Sequence, residues 1–238
     1  VTPSPDLSRL TVLIAGASSQ AGIATAEALT SAGARVIAVG SDATRLQRAL
    51  GHLESVDLRA CDLTDFQAVQ ALAEELRTGG TAPDGLIHLV GGWRGGEGIA
   101  GQSDDDYEFL HRSVLTTLRN TSRAFIGDLT RSPQGRLAIV SATAVDSPTA
   151  GNASYAAIKA AAETWVRAVA QEFAAVEPQR GAAAIVVVKA LLDDAMRAEH
   201  PERRFPGYTD VRDLAATMAG LFERDPADLN GLRLHPAG

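Results

Sequence analysis

Apolar residues in this chain gather in short runs, and between the runs they recur every three or four positions among polar ones. The runs predict strands over 10–15, 35–40, 55–60, 85–90, 136–141, 183–189 and 232–235. The three-to-four periodicity predicts helices near 21–32, 44–50, 65–77, 104–130, 154–176 and 211–222. Strands flanked so regularly by helices read as βαβ units. The expected fold class is therefore α/β, a doubly wound, seven-stranded parallel sheet with helices on both faces. The unbroken IVVV at 185–188 suits a strand covered on both sides. Asp65 is placed to cap the third helix, and Gly79-Gly80 to end it. No linker, repeat or low-complexity tract cuts the chain, so residues 1–238 are expected to form one domain.

Composition narrows the classes. The 238 residues are 45% hydrophobic, enough for one sizeable core. A formal charge of −7 argues against nucleic acid, whose phosphates need a basic surface. No run approaches the ~18 apolar residues of a membrane span, and VTPSPDLSRL has no signal-peptide core. Cys61 is the single cysteine and can form no internal disulfide, which fits a reducing cytoplasm. The expectation is a soluble cytoplasmic protein acting on a small-molecule substrate, without nucleic-acid, membrane or metal partners.

Chemistry enters at two places. LTVLIAGASSQAGIATAEAL reads as a strand, a glycine turn and a helix. Gly16 would permit the tight turn, and Gly22 would let the helix pack closely on the strand. The amides freed around Ser18, Ser19, Gln20 and Ala21 then suit a pyrophosphate. Further on, SATAVDSPTAGNASYAAIKAAAETW sets Tyr155 and Lys159 four apart, on one face of a helix. A phenol of pKa ~10 exchanges protons poorly at neutral pH, and a nearby ammonium lowers it. Tyr155 could then protonate a carbonyl or imine. The bland alternative is a surface tyrosine beside a surface lysine, and the glycine loop upstream favours the catalytic reading. Loops 91–103, with six glycines, and 193–209, with two prolines, follow strand ends and are the expected walls of the site.

With these motifs in this order, the chain resembles the short-chain dehydrogenase/reductase family, and the resemblance implies a Rossmann-type fold and a NADP or NAD cofactor. The family's TGxxxGxG loop matches Ala15-Gly16 and Gly22, with Gln20 replacing the middle glycine near the pyrophosphate path. CDLTD places Asp62 and Leu63 where the family holds adenine. The acidic residue that NAD-preferring members carry after the second strand is Gly40 here, which leans towards NADP. The arginine that often follows is Ser41, and Ser41 and Asp42 are otherwise ordinary turn residues. Lys159 would also hydrogen-bond the nicotinamide ribose. The family's NNAG reads HLVG, so His88 is expected to be a packed strand residue, with Gly91 and Gly92 beside the cofactor. The serine expected thirteen residues before the tyrosine is Ala142, flanked by Ser141 and Thr143, which point to other sides. The asparagine of the long middle helix is absent too, HRSVLTTL offering Ser113 and Val114. Lys189 and Asp194 replace a proline and a threonine, and the sequence assigns them no role.

Within the family, LVGGWRGG, RSVLTT, GAAAIVVV, LDDAM and the alanine at the serine position resemble the dihydropteridine reductase branch, over most of the chain from Asp84 onwards. The substrate of that branch is a quinonoid pterin, a ring already polarised, which would tolerate Ala142. Trp93 could stack on such a ring or simply plug a mobile glycine loop. The resulting expectation is an NAD(P)H-dependent reductase of a small conjugated carbonyl, quinone-like or pterin-like compound. Tyr155 and Lys159 would be catalytic, with Trp93, Ala142 and Thr143 near the substrate. Two rivals stand beside it: a non-catalytic or cofactor-sensing protein, and an ordinary ketone reductase in which Ser141 or Thr143 replaces the serine. Apolar stripes at Leu115, Leu118 and Phe125 and at Trp165, Val169 and Phe173 match helices that pair between subunits in the family, implying a homo-dimer or homo-tetramer. An internal core could use the same stripes.

Overall fold

The structure is a computed structural model that describes residues 5–236, so the first four residues of VTPSPDLSRL lie outside the described part. The chain runs β1 (Thr11–Ala15), α1 (Gln20–Ser31), β2 (Arg35–Gly40), α2 (Ala43–Leu50), β3 (Val56–Ala60), α3 (Phe66–Thr78) and β4 (Gly85–His88). It continues as α4 (Asp104–Leu110), a π-helical segment (His111–Thr116), α5 (Thr117–Arg131), β5 (Arg136–Ala142) and α6 (Ala153–Ala174). The last part holds β6 (Ala182–Val188), β7 (Leu191–Leu192), α7 (Asp194–Glu199), β8 (Thr209–Asp210), α8 (Val211–Gly220), α9 (Pro226–Leu229) and β9 (Arg233–Leu234).

Seven strands form one parallel sheet in the order β3-β2-β1-β4-β5-β6-β9, and β7 pairs with β8 as a separate ribbon. The doubly wound sheet expected from the sequence is present, each strand within two residues of its expected ends. Strand order reverses direction at β1 and β4, and a crevice opens beyond the carboxyl ends of those strands.

Alternation along each strand builds a core on each face. Val12 and Ile14 of β1 join the residues of α1, α2 and α8, whereas Leu13 and Ala15 join those of α3, α5 and α6. All of β6 is buried, as its unbroken apolar run predicts. The stripes expected to pair subunits mostly serve this core. Leu118, Phe125 and Phe173 are at most 1% exposed and Val169 is 9% exposed, leaving Leu115 and Trp165 half-buried. Truncating a buried phenylalanine such as Phe125 to alanine would cost about 3–5 kcal/mol.

Two local features depart from the sequence expectation. The single helix expected over 104–130 is continuous but passes through the π-helical segment. There the Ser113 hydroxyl donates to Phe109 O at 2.7 Å and the Thr117 hydroxyl to Ser113 O at 2.7 Å. Such back-bonding competes with the regular ladder and lets the helix widen. The loop expected over 193–209 contains α7, capped by Asp193, whose carboxylate accepts from Met196 N at 2.7 Å. No helix among the described residues is long and apolar enough to cross a membrane.

Candidate active site

The glycine turn forms where β1 meets α1. Gly16 has φ +84°, and a Cβ there would sit 2.9 Å from Val90 N. A side chain is excluded on both counts. A Cβ on Gly22 would meet the Ala17 carbonyl oxygen at 2.5 Å, so α1 can approach the loop only with glycine there. Ser19 is the N-cap: its hydroxyl accepts from Gly22 N at 3.0 Å and donates to Gly16 O at 2.9 Å. The hydroxyl is thus committed to the turn, while the first amides of α1, at Gln20 and Ala21, open onto the crevice. Gln20 is exposed at the cavity edge.

After β3, Asp62 makes a tight turn, accepting from Thr64 N at 2.9 Å and from the Thr64 hydroxyl at 2.8 Å. These bonds hold its carboxyl below the usual range. The buried Asn120 amide donates to Leu63 O and Thr64 O, both at 3.0 Å, and so fixes the Leu63 turn from beneath. Sequence reasoning missed Asn120. It also missed Arg45. Asp42 caps α2 by accepting from Arg45 N at 2.9 Å, which turns its carboxylate to the helix. The Arg45 side chain reaches the glycine loop, its Nε donating to the Ser18 hydroxyl at 3.1 Å. A guanidinium on the helix that follows the exposed Ser41 therefore reaches the glycine loop.

A cavity of about 510 Å³ occupies the crevice. It brings together Gln20, Gly91, Gly92, Trp93, Tyr155 and Lys159, with Ser19 and Ala21 at the α1 end. Gly16, Ser18, Ser41, Asp62 and Leu63, in turns that follow strands, and Gly22, in α1, are not in its wall. Ala142 and Thr143 are not in the wall either: Ala142 is 2% exposed and Thr143 opens a 3-10 turn over Thr143–Val145. The wall from β5 is Val140 and Ser141.

Tyr155 and Lys159 share the inner face of α6. The Lys159 ammonium is buried, donates to Val140 O at 2.8 Å and lies 5.8 Å from the centre of the Tyr155 ring. Burial lowers Lys159 to about 8, and the Glu163 carboxylate opposes that shift. The phenol departs from expectation. Burial pushes Tyr155 above its ordinary value, where the sequence reading had the ammonium lowering it. His88 is a packed residue, 3% exposed, with Nε2 2.9 Å from the Thr117 hydroxyl. Burial, helped by the Lys159 charge, lowers it to about 3.

Ser141 could not be placed from sequence. Its hydroxyl donates to Glu163 Oε1 at 2.6 Å in a fully buried pair. The Gly-rich loop is held to the start of α6: Gly96 N donates to Gly151 O at 2.9 Å, and the Gln102 amide reaches Ala150 O at 3.2 Å. Trp93 remains 65% exposed at the cavity mouth. Lys189 donates to Pro206 O at 3.1 Å and tethers the 193–209 segment, while Asp194 pairs with Arg212.

The residues fit a dinucleotide. The bare Gly16 backbone, the open α1 amides and a Gly91 whose Cβ would stand 3.8 Å from Lys159 Nζ form a cradle that larger residues would fill. Comparison with known proteins agrees. The short chain dehydrogenase family profile matches residues 10–199. The chain is 25% identical over 236 residues to the 3-oxoacyl-(acyl-carrier-protein) reductase FabG of Vibrio cholerae, covering 95% of each. It is 27% identical over 238 residues to the enzyme of the same name from Vibrio harveyi, again covering 95% of each. Its fold is similar to that of a NADPH-bound short chain oxidoreductase with an atypical catalytic center from Pseudomonas aeruginosa PAO1. That likeness has a TM-score of 0.85 at 21% identity, over 97% of this chain and 96% of that one. A short chain dehydrogenase from Shigella flexneri complexed with NADP gives 0.85 at 19%, over 98% and 99%. The chain belongs to the short-chain dehydrogenase/reductase family and is an NAD(P)-dependent oxidoreductase.

Proposed function

We propose that residues 1–238 act as one NADPH-preferring reductase domain for a small, flat, conjugated substrate, quinone-like or pterin-like. The observation that carries this reading is the Ser141–Glu163 pair next to Ala142. An ordinary ketone needs a second hydroxyl beside the tyrosine to polarise its carbonyl. Here Ala142 has none and the Ser141 hydroxyl is committed to Glu163. A substrate whose ring is already polarised does without it, as in the dihydropteridine reductase branch that the Gly-rich loop resembles.

When bound, the reduced nicotinamide would supply the hydride. Tyr155 supplies the proton: a phenol that burial holds protonated is an acid, which suits reduction. The Lys159 ammonium stabilises the phenolate as the proton leaves and holds the nicotinamide ribose. The turn of Gly16, Ser18, Ser19, Gln20, Ala21 and Gly22 holds the pyrophosphate. Asp62 and Leu63 seat the adenine, and Ser41 with Arg45 receives the 2′-phosphate. Gly91 and Gly92 leave room beside Lys159, and Trp93 offers a ring to stack on. A homo-dimer or homo-tetramer would form over the shallow groove between α5 and α6, around Ile126 and Trp165. A free Cys61 fits a cytoplasmic setting.

The FabG-named relatives favour a second reading, reduction of a ketone carried on an acyl thioester. A substrate panel with NADPH separates the two. Turnover of quinones or quinonoid dihydropterins well above that of β-keto thioesters supports the first reading, and the reverse order supports the second. Absence of turnover with tight NADPH binding would leave a cofactor-sensing protein.

A further inference from the structure

Tyr155 and Lys159 are the first members of a longer series. Glu163 and Arg167 follow at the same four-residue spacing, so phenol, ammonium, carboxylate and guanidinium succeed one another along a single face of α6. Glu163 has no place in the cavity wall, yet its side chain is only 1% exposed. A buried carboxylate persists only with partners, and this one has them from several elements. Besides the 2.6 Å bond from Ser141, Arg167 donates at 2.9 Å and Arg233 Nε lies 3.1 Å away. Arg233, on β9, also grips Asp146 with both terminal nitrogens at 2.8 Å.

A scaffold needing only rigidity gains little from such a cluster, since well-packed apolar residues often serve as well or better. Its connection to Lys159 gives it a purpose. Lys159 holds the carbonyl of Val140 and Glu163 holds the side chain of Ser141, so consecutive helical turns of α6 grip consecutive residues of β5. The charges around Lys159 come from Tyr155 and Glu163 on its own helix, from His88 on β4, and from Lys189 and Asp193 across the cavity. His88 is neutral above about pH 3 and cannot support an ammonium. Glu163 is the carboxylate that offsets the burial of Lys159.

We propose that Glu163 is a positioning residue for Lys159: it holds the lysine in place as an ammonium at neutral pH, and by binding Ser141 it withdraws that hydroxyl from the substrate. The proposal rests on the reading of Lys159 as a cofactor-binding ammonium. The two can be told apart by titrating the full-length protein with NADPH, followed by fluorescence, between pH 6 and 10. The wild type should lose affinity as pH rises through about 8, where Lys159 loses its proton. Lys159→Met should abolish that dependence; if it persists, the reading of Lys159 fails and the proposal with it. Glu163→Gln keeps the shape and an acceptor for Ser141 but removes the charge, and should move the midpoint down by on the order of one pH unit. Glu163→Asp, which keeps the charge, should return it close to wild type. Arg167→Met, at a side chain 51% exposed and safe for folding, should move the midpoint up by removing a competing cation. A flat profile in Lys159→Met together with unmoved midpoints in Glu163→Gln and Arg167→Met would overturn the role of Glu163 alone.

Discussion

Acid should unfold this protein partly through one histidine. Thr117 has a single hydroxyl proton, and its bond to Ser113 O at 2.7 Å uses it. The contact of 2.9 Å between that hydroxyl and His88 Nε2 therefore has the imidazole as donor, which assigns a neutral ring protonated at Nε2. A second proton would place a cation in a buried site beside the Lys159 ammonium. That is why His88 falls from 6.5 to about 3. Between those values the unfolded chain binds a proton that the folded one refuses, so stability rises with pH across the window. It is complete above about 6.5 and is lost as pH falls towards 3. The full gap, 6.5 − 3 = 3.5 pH units, corresponds to roughly 4–5 kcal/mol at 1.36 kcal/mol per unit. At pH 5 the loss is about 2 kcal/mol.

The assay is urea denaturation at pH 7.5 and pH 5.0 for the wild type and for His88→Gln. The glutamine amide can donate to Thr117 but cannot ionise. Asp62, Asp146 and Asp210, held below their ordinary value of 3.8, titrate under this window, and Lys159, near 8, titrates mostly above it. Other ionisations are common to both proteins and cancel in the difference. The variant will be weaker at pH 7.5 through imperfect packing, but it should lose about 2 kcal/mol less than the wild type on going to pH 5. Parallel losses in the two proteins would show that His88 does not carry the linkage and that its burial or tautomer is misread.

Three further outcomes are expected. Tyr155→Phe should leave NADPH affinity intact while reduction falls by ~10²–10⁴-fold, measured by loss of reduced-nicotinamide absorbance; an unchanged rate would make the phenol a bystander. Arg45→Ala should weaken NADPH by roughly 10–100-fold and NADH hardly at all, as expected for a lost charge-assisted contact to phosphate, and an unaltered ratio of the two affinities in calorimetry would remove Arg45 from the site. Trp165 is half-buried and its indole donates to the Ser122 hydroxyl at 2.8 Å, so Trp165→Glu should yield smaller species in light scattering without loss of the thermal transition. A wild type already monomeric at micromolar concentration would contradict the assembly.

The sheet was legible because most of its strands are short apolar runs, with Asp57 and Arg59 alternating into β3, and helices of regular period lie between them. The glycine turn was legible because a φ of +84° and a close approach leave a visible residue type. What escaped depends on contacts distant in sequence or on hydrogen bonds that do not alter periodicity. The π-helical segment keeps the apolar spacing of a helix, and only the serine and threonine of RSVLTT hint at it. Arg45 escaped because its contact arises from α2 folding back on a loop 27 residues earlier. Glu163 escaped as well, because its burial needs Arg233, 70 residues on. The four-residue series from Tyr155 to Arg167 was the one signal that could have revealed it. The apolar stripes were ambiguous in principle, because a helix face buried in its own core and one buried against a partner are the same pattern.

The polar side chains of the cavity bear on the proposed substrate class. Ser19 caps α1, His88 binds Thr117, Ser141 binds Glu163, Lys159 binds Val140 O, Lys189 binds Pro206 O and Asp193 caps α7. The hydroxyl protons of Ser19 and Ser141 and the Asp193 carboxylate are already engaged by the protein, whereas the Lys159 and Lys189 ammoniums keep donors to spare. Gln20 and Tyr155 are the remaining polar side chains of the wall, and most of the rest is apolar, with Leu89, Val90, Val140, Val188, Leu191 and Met196. Under the proposed function, such a site would discriminate more by shape and stacking than by a network of hydrogen bonds. Such discrimination is weak between similar rings, because one methylene in an apolar pocket is worth only about 1–3 kcal/mol. It would be strong against compounds that need polarisation before they accept hydride, if the absence of a spare hydroxyl next to Tyr155 on β5 acts as proposed. If the proposed function holds, gaining ketone chemistry would take more than Ala142→Ser. Ala142 is 2% exposed and outside the cavity wall, so a serine there would first have to turn its hydroxyl into the site, past a β5 end that Glu163 and Lys159 hold in place.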